Sequence, residues 1–384
     1  MRNIAVFLER LFRNAFVYPV LRRIFKNPKV VLPLEGKSLQ SILILRYDKI
    51  GDMLVTLPIF RIVKTHFTGV RLSVVASEAN AAMLRGEDSV DRVFVLYRNP
   101  LKLAREWYRI RQAHPDVVLN FVFNRITSGG LIVNLLCPHS VKVGQGPEKY
   151  GFYFNALLSL PRKKFHMFEM LVMYVEAVFG ITVDPGEKYL QYPMDASAVS
   201  GVEGYLGRHG LRSKSGHVIS SGRPYVVFNI SAGQNDNRIS SEQALSIGKH
   251  LSVELGVISV VIASPIDDPW KADIVSQIAS ERCLSFPDKG SSSLGEIIVL
   301  IEGALAVVTP HTSIVHIAAA TSTPVCGLYS PLQVNEEWLP YNVTYRIIEA
   351  EQDQPVRTIP VGTLTREIRS FLTPIIENAI RTQR

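Results

Sequence analysis

The run ILILRYDKIGDMLVTLP, residues 42–58, constrains this chain more than any other stretch. An apolar segment of strand character, Ile42 to Leu45, ends abruptly at Arg46-Tyr47-Asp48-Lys49. Gly51 and Asp52 follow, and then apolar positions at helical spacing: Met53, Leu54, Leu57, Ile59, Phe60 and Val63. A strand that feeds a helix through a short polar loop is the building unit of a parallel sheet, because the helix carries the chain back to the same edge. Such sheets bind ligands at the carboxyl ends of their strands. Asp52 stands at the mouth of the helix, where its carboxylate either acts as a general base in that crevice or caps the first turn.

The alternation continues along the chain. Strands are expected at 71–76, 92–96, 117–121 and 140–143, with helices near 78–84, 100–113 and from Thr127 onward. The apolar stretch 165–179 predicts the last helix of a first domain, ended by a turn at Gly180. Residues 184–222 hold many Gly, Ser and Pro around a short helix at 196–208, the composition of a connection. A second domain then offers strands at 225–229, 259–263, 305–308 and 325–329. Its helices are expected at 241–254 (capped by Ser240 or Ser241), 270–280, 294–301 and 314–320, and a last helix at 364–381 is interrupted by Pro374. A chain of 384 residues exceeds a single core, so two domains are expected.

Residues 305–331, LAVVTPHTSIVHIAAATSTPVCGLYSP, carry a second chemical signal. A strand enters a turn of small and hydroxyl residues (Thr309, Pro310, Thr312, Ser313), and a small-residue helix follows. Unsatisfied N–H groups at that helix start, beside the Thr312 and Ser313 hydroxyls, suit a diphosphate; the same turn also fits a βαβ unit without ligand. Between the two runs lies FNISAGQNDNR, 228–238, a strand end and a loop that closes on Arg238.

Together, in this order and spacing, the three runs resemble the heptosyltransferase family of bacterial lipopolysaccharide assembly, glycosyltransferase family 9, over most of residues 40–345. Ile50, Gly51 and Asp52 match its I-G-D triplet, and Thr312, Ser313, His316, Ala319 and Ala320 match its D-T-S/G-x-x-H-x-x-A-A motif. His311 stands where the family usually has Asp, and Ile239 where an aromatic residue often follows the basic one. The resemblance implies an α/β fold of GT-B type: two Rossmann-like domains facing across a cleft, here with an N-terminal amphipathic helix.

It also implies an inverting, metal-independent transferase without cofactor, with Asp52 as general base and Asp48 as the competing carboxylate. The transfer most often implied moves heptose from ADP-heptose to a lipopolysaccharide core. Donor contacts are expected from Arg238, Ser231 and Gly233 on the first loop of the second domain. Thr309, His311, Thr312, Ser313, Ile314 and His316 are expected on its second loop. Asp267 (or Asp268) is a candidate for the nucleotide ribose, with a helix cap before Pro269 as the competing reading. Acceptor contacts are expected from Arg46, Lys49, Gly51, Asn124 and Arg125, with Lys149 and the basic run 162–164 as weaker candidates. The alternatives are a family member that uses another nucleotide sugar, which His311 favours, and a non-catalytic nucleotide-sugar-binding protein of the same fold. A dehydrogenase is disfavoured because no GxGxxG follows the first strand.

The net charge of +8 gathers at the start of the chain. Residues 1–29 carry Arg2, Arg10, Arg13, Arg22, Arg23, Lys26 and Lys29 against one acid, Glu9, interleaved with Phe, Leu, Ile and Val. No uninterrupted apolar run there approaches the roughly 20 residues of a membrane span, and the charges break any signal-peptide core. A basic, aromatic-rich amphipathic stretch kinked near Pro19 fits an interfacial helix on an anionic membrane, or else a helix packed on the protein itself. The expected partners are a nucleotide-sugar donor, a lipopolysaccharide or other membrane-linked glycan acceptor and, through 1–29, the inner face of the cytoplasmic membrane. No nucleic-acid motif accompanies the basic charge. Cys137, Cys283 and Cys326 are widely spaced and form neither a zinc pattern nor a disulfide framework. The expected divisions are 1–35 (basic segment), 36–190 (acceptor domain), 191–222 (connection), 223–345 (donor domain) and 346–384 (a segment and helix returning toward the first domain).

Overall fold

A computed structural model describes residues 12–34, 39–124, 126–190, 192, 196–214, 222–331 and 336–381. The chain divides into two compact units, Met1–Arg162 with Phe168–Lys188, and Lys163–Met167 with Tyr189–Arg384.

The first unit holds strands β1 (Ser41–Leu45), β2 (Arg71–Ser77), β3 (Arg92–Leu96), β4 (Val117–Asn120), β5 (Val141–Gln145) and β6 (Ala156–Leu158). They form one parallel sheet in the order β3-β2-β1-β4-β5-β6. Its helices are α1 (Tyr18–Ile24), α2 (Ile50–Leu54), α3 (Leu57–His66), α4 (Pro100–Ala113), α5 (Ile126–Leu136) and α6 (Met167–Phe179). The chain moves outward from β1 to β3, then crosses to β4 and moves outward the other way. The reversal leaves a crevice between β1 and β4 at their carboxyl ends.

The second unit repeats the plan with β7 (Tyr225–Asn229), β8 (Ile258–Ile262), β9 (Cys283–Ser285), β10 (Val307–Pro310), β11 (Val325–Tyr329) and β12 (Tyr345–Glu349). Their order is β12-β11-β10-β7-β8-β9, again parallel, with the reversal between β7 and β10. The helices are α7 (Ala196–Arg208), α8 (Ser241–Lys249), α9 (Asp268–Ile278), α10 (Leu294–Gly303), α11 (Ser313–Ala320) and α12 (Val361–Arg381).

Central strands are buried on both faces, which is why β1, β7 and β11 read as unbroken apolar runs. Three edge strands lie outside the sequence expectation. Both β6 and β9 are three residues long, and β12 is mostly exposed, so none of the three has a run to show. The helix expected after Asp52 is two helices, α2 and α3. Pro58 sits in the first turn of α3, where it has no N–H to continue a helix from before it. Residues 78–84 form a short 3-10 turn, Ala81–Leu84, instead of a full helix. Ser240, not Ser241, caps α8, in a reciprocal pair with Gln243 at 3.0 and 3.1 Å.

Pro374 does not interrupt α12, which is continuous to Arg381. Leu364, Ile368, Phe371 and Leu372 before the proline and Ile375 and Ile376 after it pack into the same core as α8, holding the helix through the missing hydrogen bond. All three cysteines are buried, and burial pushes the Cys137 and Cys326 thiols up to about 12.

At the start of the described chain a wide helical turn, Arg13–Val17, runs into α1. One side of it docks on the unit. Tyr18 is buried with its hydroxyl 2.9 Å from Thr127 Oγ1, while Leu21 and Phe25 join the core around Tyr153. A second side exposes Phe12, Phe16, Val20 and Ile24, which are 55–64% accessible and spaced four residues apart. Among the described residues no helix is long and apolar enough to cross a membrane.

Candidate active site

In the first unit the crevice at β1 and β4 is organised by a buried cation. Arg46 follows β1 and is 1% exposed. Its Nε donates to the Asp52 carbonyl at 2.9 Å, and its Nη1 donates to the Phe121 carbonyl after β4. Nη1 also reaches Asp48 Oδ2 at 3.3 Å, and Nη2 lies 3.4 Å from Asp52 Oδ1. One guanidinium therefore ties the two strand ends together and faces two carboxylates. Asn80, fully buried, donates to the Arg46 carbonyl at 2.9 Å and accepts from Ser77 N at 2.8 Å, which fixes the loop from the β2 side. Asp52 stands in the first turn of α2 and is 6% exposed; the cap position itself is Lys49. On the β4 side, α5 starts against the strand end. A Cβ on Gly129 would lie 2.7 Å from the Asn120 amide oxygen, so this close approach needs glycine.

In the second unit the same place is held by an asparagine. Asn229 ends β7, and its Nδ2 donates to Thr309 Oγ1 at the end of β10 (2.9 Å) and to the Ser231 carbonyl (3.1 Å). Thr312 caps α11, its Oγ1 accepting from Ile314 N at 3.2 Å. That bond occupies one of the N–H groups at the helix start expected to suit a diphosphate. Arg238 projects from the β7 loop, half-exposed. Its Nε donates to the Ala232 carbonyl at 3.0 Å and its Nη2 to Asp267 Oδ1 at 3.1 Å. Asp267 is also held by Ser264 Oγ at 2.9 Å, and the main-chain N–H of Ser264 donates to Ser231 Oγ at 2.8 Å. The loops after β7, β8 and β10 are thus cross-linked, with Gly233 open to solvent beside them. The His311 ring stacks on Tyr329 at 4.2 Å, and its carbonyl accepts from Asn237 Nδ2. His316 is buried against Trp338 and near His311.

The structure gathers the expected residues into two groups. Arg46, Lys49 and Asn124 lie on the loops of the first reversal, with Lys49 and Asn124 exposed, and Gly51 and Asp52 in the first turn of α2. Ser231, Gly233, Arg238, Asp267, Thr309, His311, Thr312, Ser313, Ile314 and His316 lie on the loops and helix start of the second. Arg125 falls outside the described residues. Arg46, expected as an acceptor contact, is buried, and its guanidinium is engaged by Asp48, by Asp52 and by the Phe121 carbonyl after β4. Asn80, Asn229 and Asn237 were missed; the signal for Asn229 was a polar residue closing an otherwise apolar strand. Among the described residues no three His, Cys, Asp or Glu side chains come together as a metal site.

His166 was missed as well, because it meets His316 and Tyr341 only through the fold. Burial, with the nearby His316 charge, pushes its imidazole down to about 3. The unfolded chain takes a proton below about 6.5 that the native chain refuses. Stability from this group is therefore complete above that pH and is lost as pH falls toward 3, at about 1.4 kcal/mol per unit. Urea unfolding should lose roughly 2–3 kcal/mol between pH 6.5 and 4.5, and His166→Phe should flatten that slope. Equal slopes for both proteins would remove His166 as the cause.

Comparison with known proteins follows this geometry. The family model for glycosyltransferase family 9 (heptosyltransferase) matches residues 144–360, more than half of the chain. A family 9 glycosyl transferase from Veillonella parvula superimposes with a TM-score of 0.72 at 16% identity, covering 90% of this chain and all of that one. The Escherichia coli heptosyltransferase WaaC with ADP gives 0.64 at 17%, covering 86% and 99%. The Escherichia coli ADP-heptose lps heptosyltransferase II gives 0.64 at 18%, covering 87% and 99%. The curated protein sequences yield no match. At these identities the structural likeness fixes the fold, the GT-B arrangement of two Rossmann-like units; the family match extends it to activity as a glycosyltransferase. The chain belongs to glycosyltransferase family 9, the heptosyltransferase family.

Proposed function

We propose that the protein is an inverting, metal-independent transferase that moves heptose from ADP-heptose to a lipopolysaccharide core acceptor. The observation that carries the reading is the placement of its two chemical groups: Asp52 at the β1/β4 reversal and the Arg238 and Thr309–Ser313 loops at the β7/β10 reversal. Asp52 takes the proton of an acceptor hydroxyl, which attacks the anomeric carbon of the donor as the bond to the diphosphate breaks. Arg238 and the N–H groups at the start of α11 stabilise the charge that develops on the leaving diphosphate. Asp267 orients Arg238 and, in this reading, accepts from a ribose hydroxyl. Known relatives support the donor class: one WaaC structure contains ADP-2-deoxy-2-fluoro heptose. The exposed stripe Phe12, Phe16, Val20 and Ile24, flanked by Arg22, Arg23, Lys26 and Lys29, supports docking on an anionic lipid surface at the inner face of the cytoplasmic membrane. His311 favours a second reading within the same mechanism, a different sugar on the nucleotide.

Thermal unfolding against a nucleotide and nucleotide-sugar panel tests the donor. ADP or ADP-heptose should raise the melting temperature, and Arg238→Ala should weaken that ligand about 10- to 100-fold, the range of one charge-assisted contact. An undiminished shift in the variant removes Arg238 from the donor site. A shift with UDP or GDP sugars alone replaces ADP-heptose as donor.

A further inference from the structure

We propose that α4 is a second lipid contact of the first unit, so that the unit meets an anionic bilayer through a layer of helices rather than through its N-terminal segment alone. The proposal extends the lipid docking inferred above for the Phe12–Ile24 stripe, while the observations on α4 are its own. A helix that covers a sheet turns apolar residues inward and polar ones outward. In α4 only Glu106 and Ile110 are buried. Leu101 and Tyr108 stand two turns apart on the side opposite Ile110 and are 83% and 65% exposed, and Trp107 on the flank is 36% exposed.

Charge selects the partner. Lys102, Arg105 and Arg111 are exposed among these apolar side chains. The one acid of the helix, Glu106, is buried, and its carboxylate accepts from Arg109 Nη1 at 2.7 and 3.0 Å. The outer side of α4 therefore offers aromatic rings and cations with no accessible acid. Trp and Tyr settle at the headgroup level of a bilayer, and Lys and Arg meet its anionic headgroups. A second copy of the chain fits less well, because α4 against α4 would bring like charges together.

Position joins α4 to the N-terminal stripe. Ile110 shares a core cluster with Val133 and Leu136 of α5, and Leu21 and Phe25 of α1 pack on that same cluster. The three helices thus cover one face of the sheet. Between them α5 packs against α4 and is bonded to the N-terminal segment through Thr127 with Tyr18 and Asn134 with Asn27, each at 2.9 Å. Its Leu135 is half-exposed. Because α4 follows β3, Leu101 lies at the carboxyl end of the sheet, the end that carries Asp52. One helix alone leaves a docked unit able to roll about that helix. A second contact on the same face fixes which end of the sheet meets the lipid, and it binds as an intramolecular step once the first is made.

Binding of the full-length protein to vesicles of phosphatidylcholine with brominated phosphatidylglycerol, against phosphatidylcholine alone, tests the contact. The anionic vesicles should bind about tenfold or more tightly, since each basic residue near such a surface contributes roughly fivefold. Trp107 is the one tryptophan of the first unit, so its quenching by the brominated lipid reports α4 directly. Trp107→Phe should still bind and should lose that quenching. The triple variant Lys102→Glu/Arg105→Glu/Arg111→Glu should weaken binding about tenfold or more. Leu101→Ser/Tyr108→Ser, at two exposed positions, should weaken it as well and stands in if the triple variant fails to fold. Phe16→Ser/Ile24→Ser separates the two contacts. Binding lost in that variant alone, with Trp107 unquenched and the α4 variants like wild type, keeps the stripe and overturns α4. Binding that depends on α4 and ignores the stripe supports α4 and removes the stripe. Equal binding to neutral and anionic vesicles overturns the proposal. So does a dimer that the triple variant abolishes in a protein that binds no vesicles, which would give this face to a second copy.

Discussion

Asp52→Asn should lower kcat by about 10²- to 10⁴-fold, the usual contribution of a general base. The substitution keeps the shape of the side chain and leaves the main-chain carbonyl that accepts from Arg46 Nε and Thr56 Oγ1. The loop scaffold therefore survives, and what disappears is the capacity to take a proton. Nucleotide binding, measured by thermal shift, should be unchanged, because the proposed donor contacts, Arg238 and the Thr309–Ser313 loop, belong to the other unit. Asp48 is the control. It faces the same guanidinium at 3.3 Å but stands before the helix. Asp48→Asn should lose less than tenfold. A reversed pattern, with Asp48→Asn inactive and Asp52→Asn active, would transfer the role of base to Asp48.

Much of this arrangement was legible in the sequence, for physical reasons that differ by element. Strands buried on both faces show themselves as apolar runs, so β7 and β11 match their expected limits residue for residue. Edge strands β6, β9 and β12 had no such run. Loop residues carrying charge or hydroxyls announced the two reversals, and Asp52, Arg238 and Thr312 lie there. What spacing did not reveal is which charged residue is internal. Arg46 reads as a loop cation, but the carbonyl of Phe121, 75 residues away, and the carboxylates around it make it a buried tie. The same holds for His166, whose environment is built by residues about 150 positions later.

The second large effect follows from that tie. Arg46→Met should destabilise the first unit by about 3–5 kcal/mol, the loss seen when one partner of a buried ion pair is removed. Methionine fills comparable length, so the loss comes from charge and hydrogen bonds rather than volume. It removes the guanidinium that both Asp48 and Asp52 approach and takes away the Arg46 donor to the Phe121 carbonyl. For a unit of this size the melting temperature should fall by roughly 6–20 °C. Arg46→Lys keeps the charge, but a single ammonium cannot span both strand ends as the planar fork does, so its loss should be smaller yet clear. The double variant Arg46→Met/Asp52→Asn separates charge from scaffold. Removing one of the two carboxylates that Arg46 approached should recover part of the loss, a coupling of about 0.5–3 kcal/mol. Strict additivity would mean that Arg46 acts through its carbonyl contacts alone. A wild-type melting curve for Arg46→Met would mean that the β1/β4 crevice needs no internal cation. Asn229 would then be the better guide, since in the second unit a neutral amide makes the corresponding connection between β7 and β10.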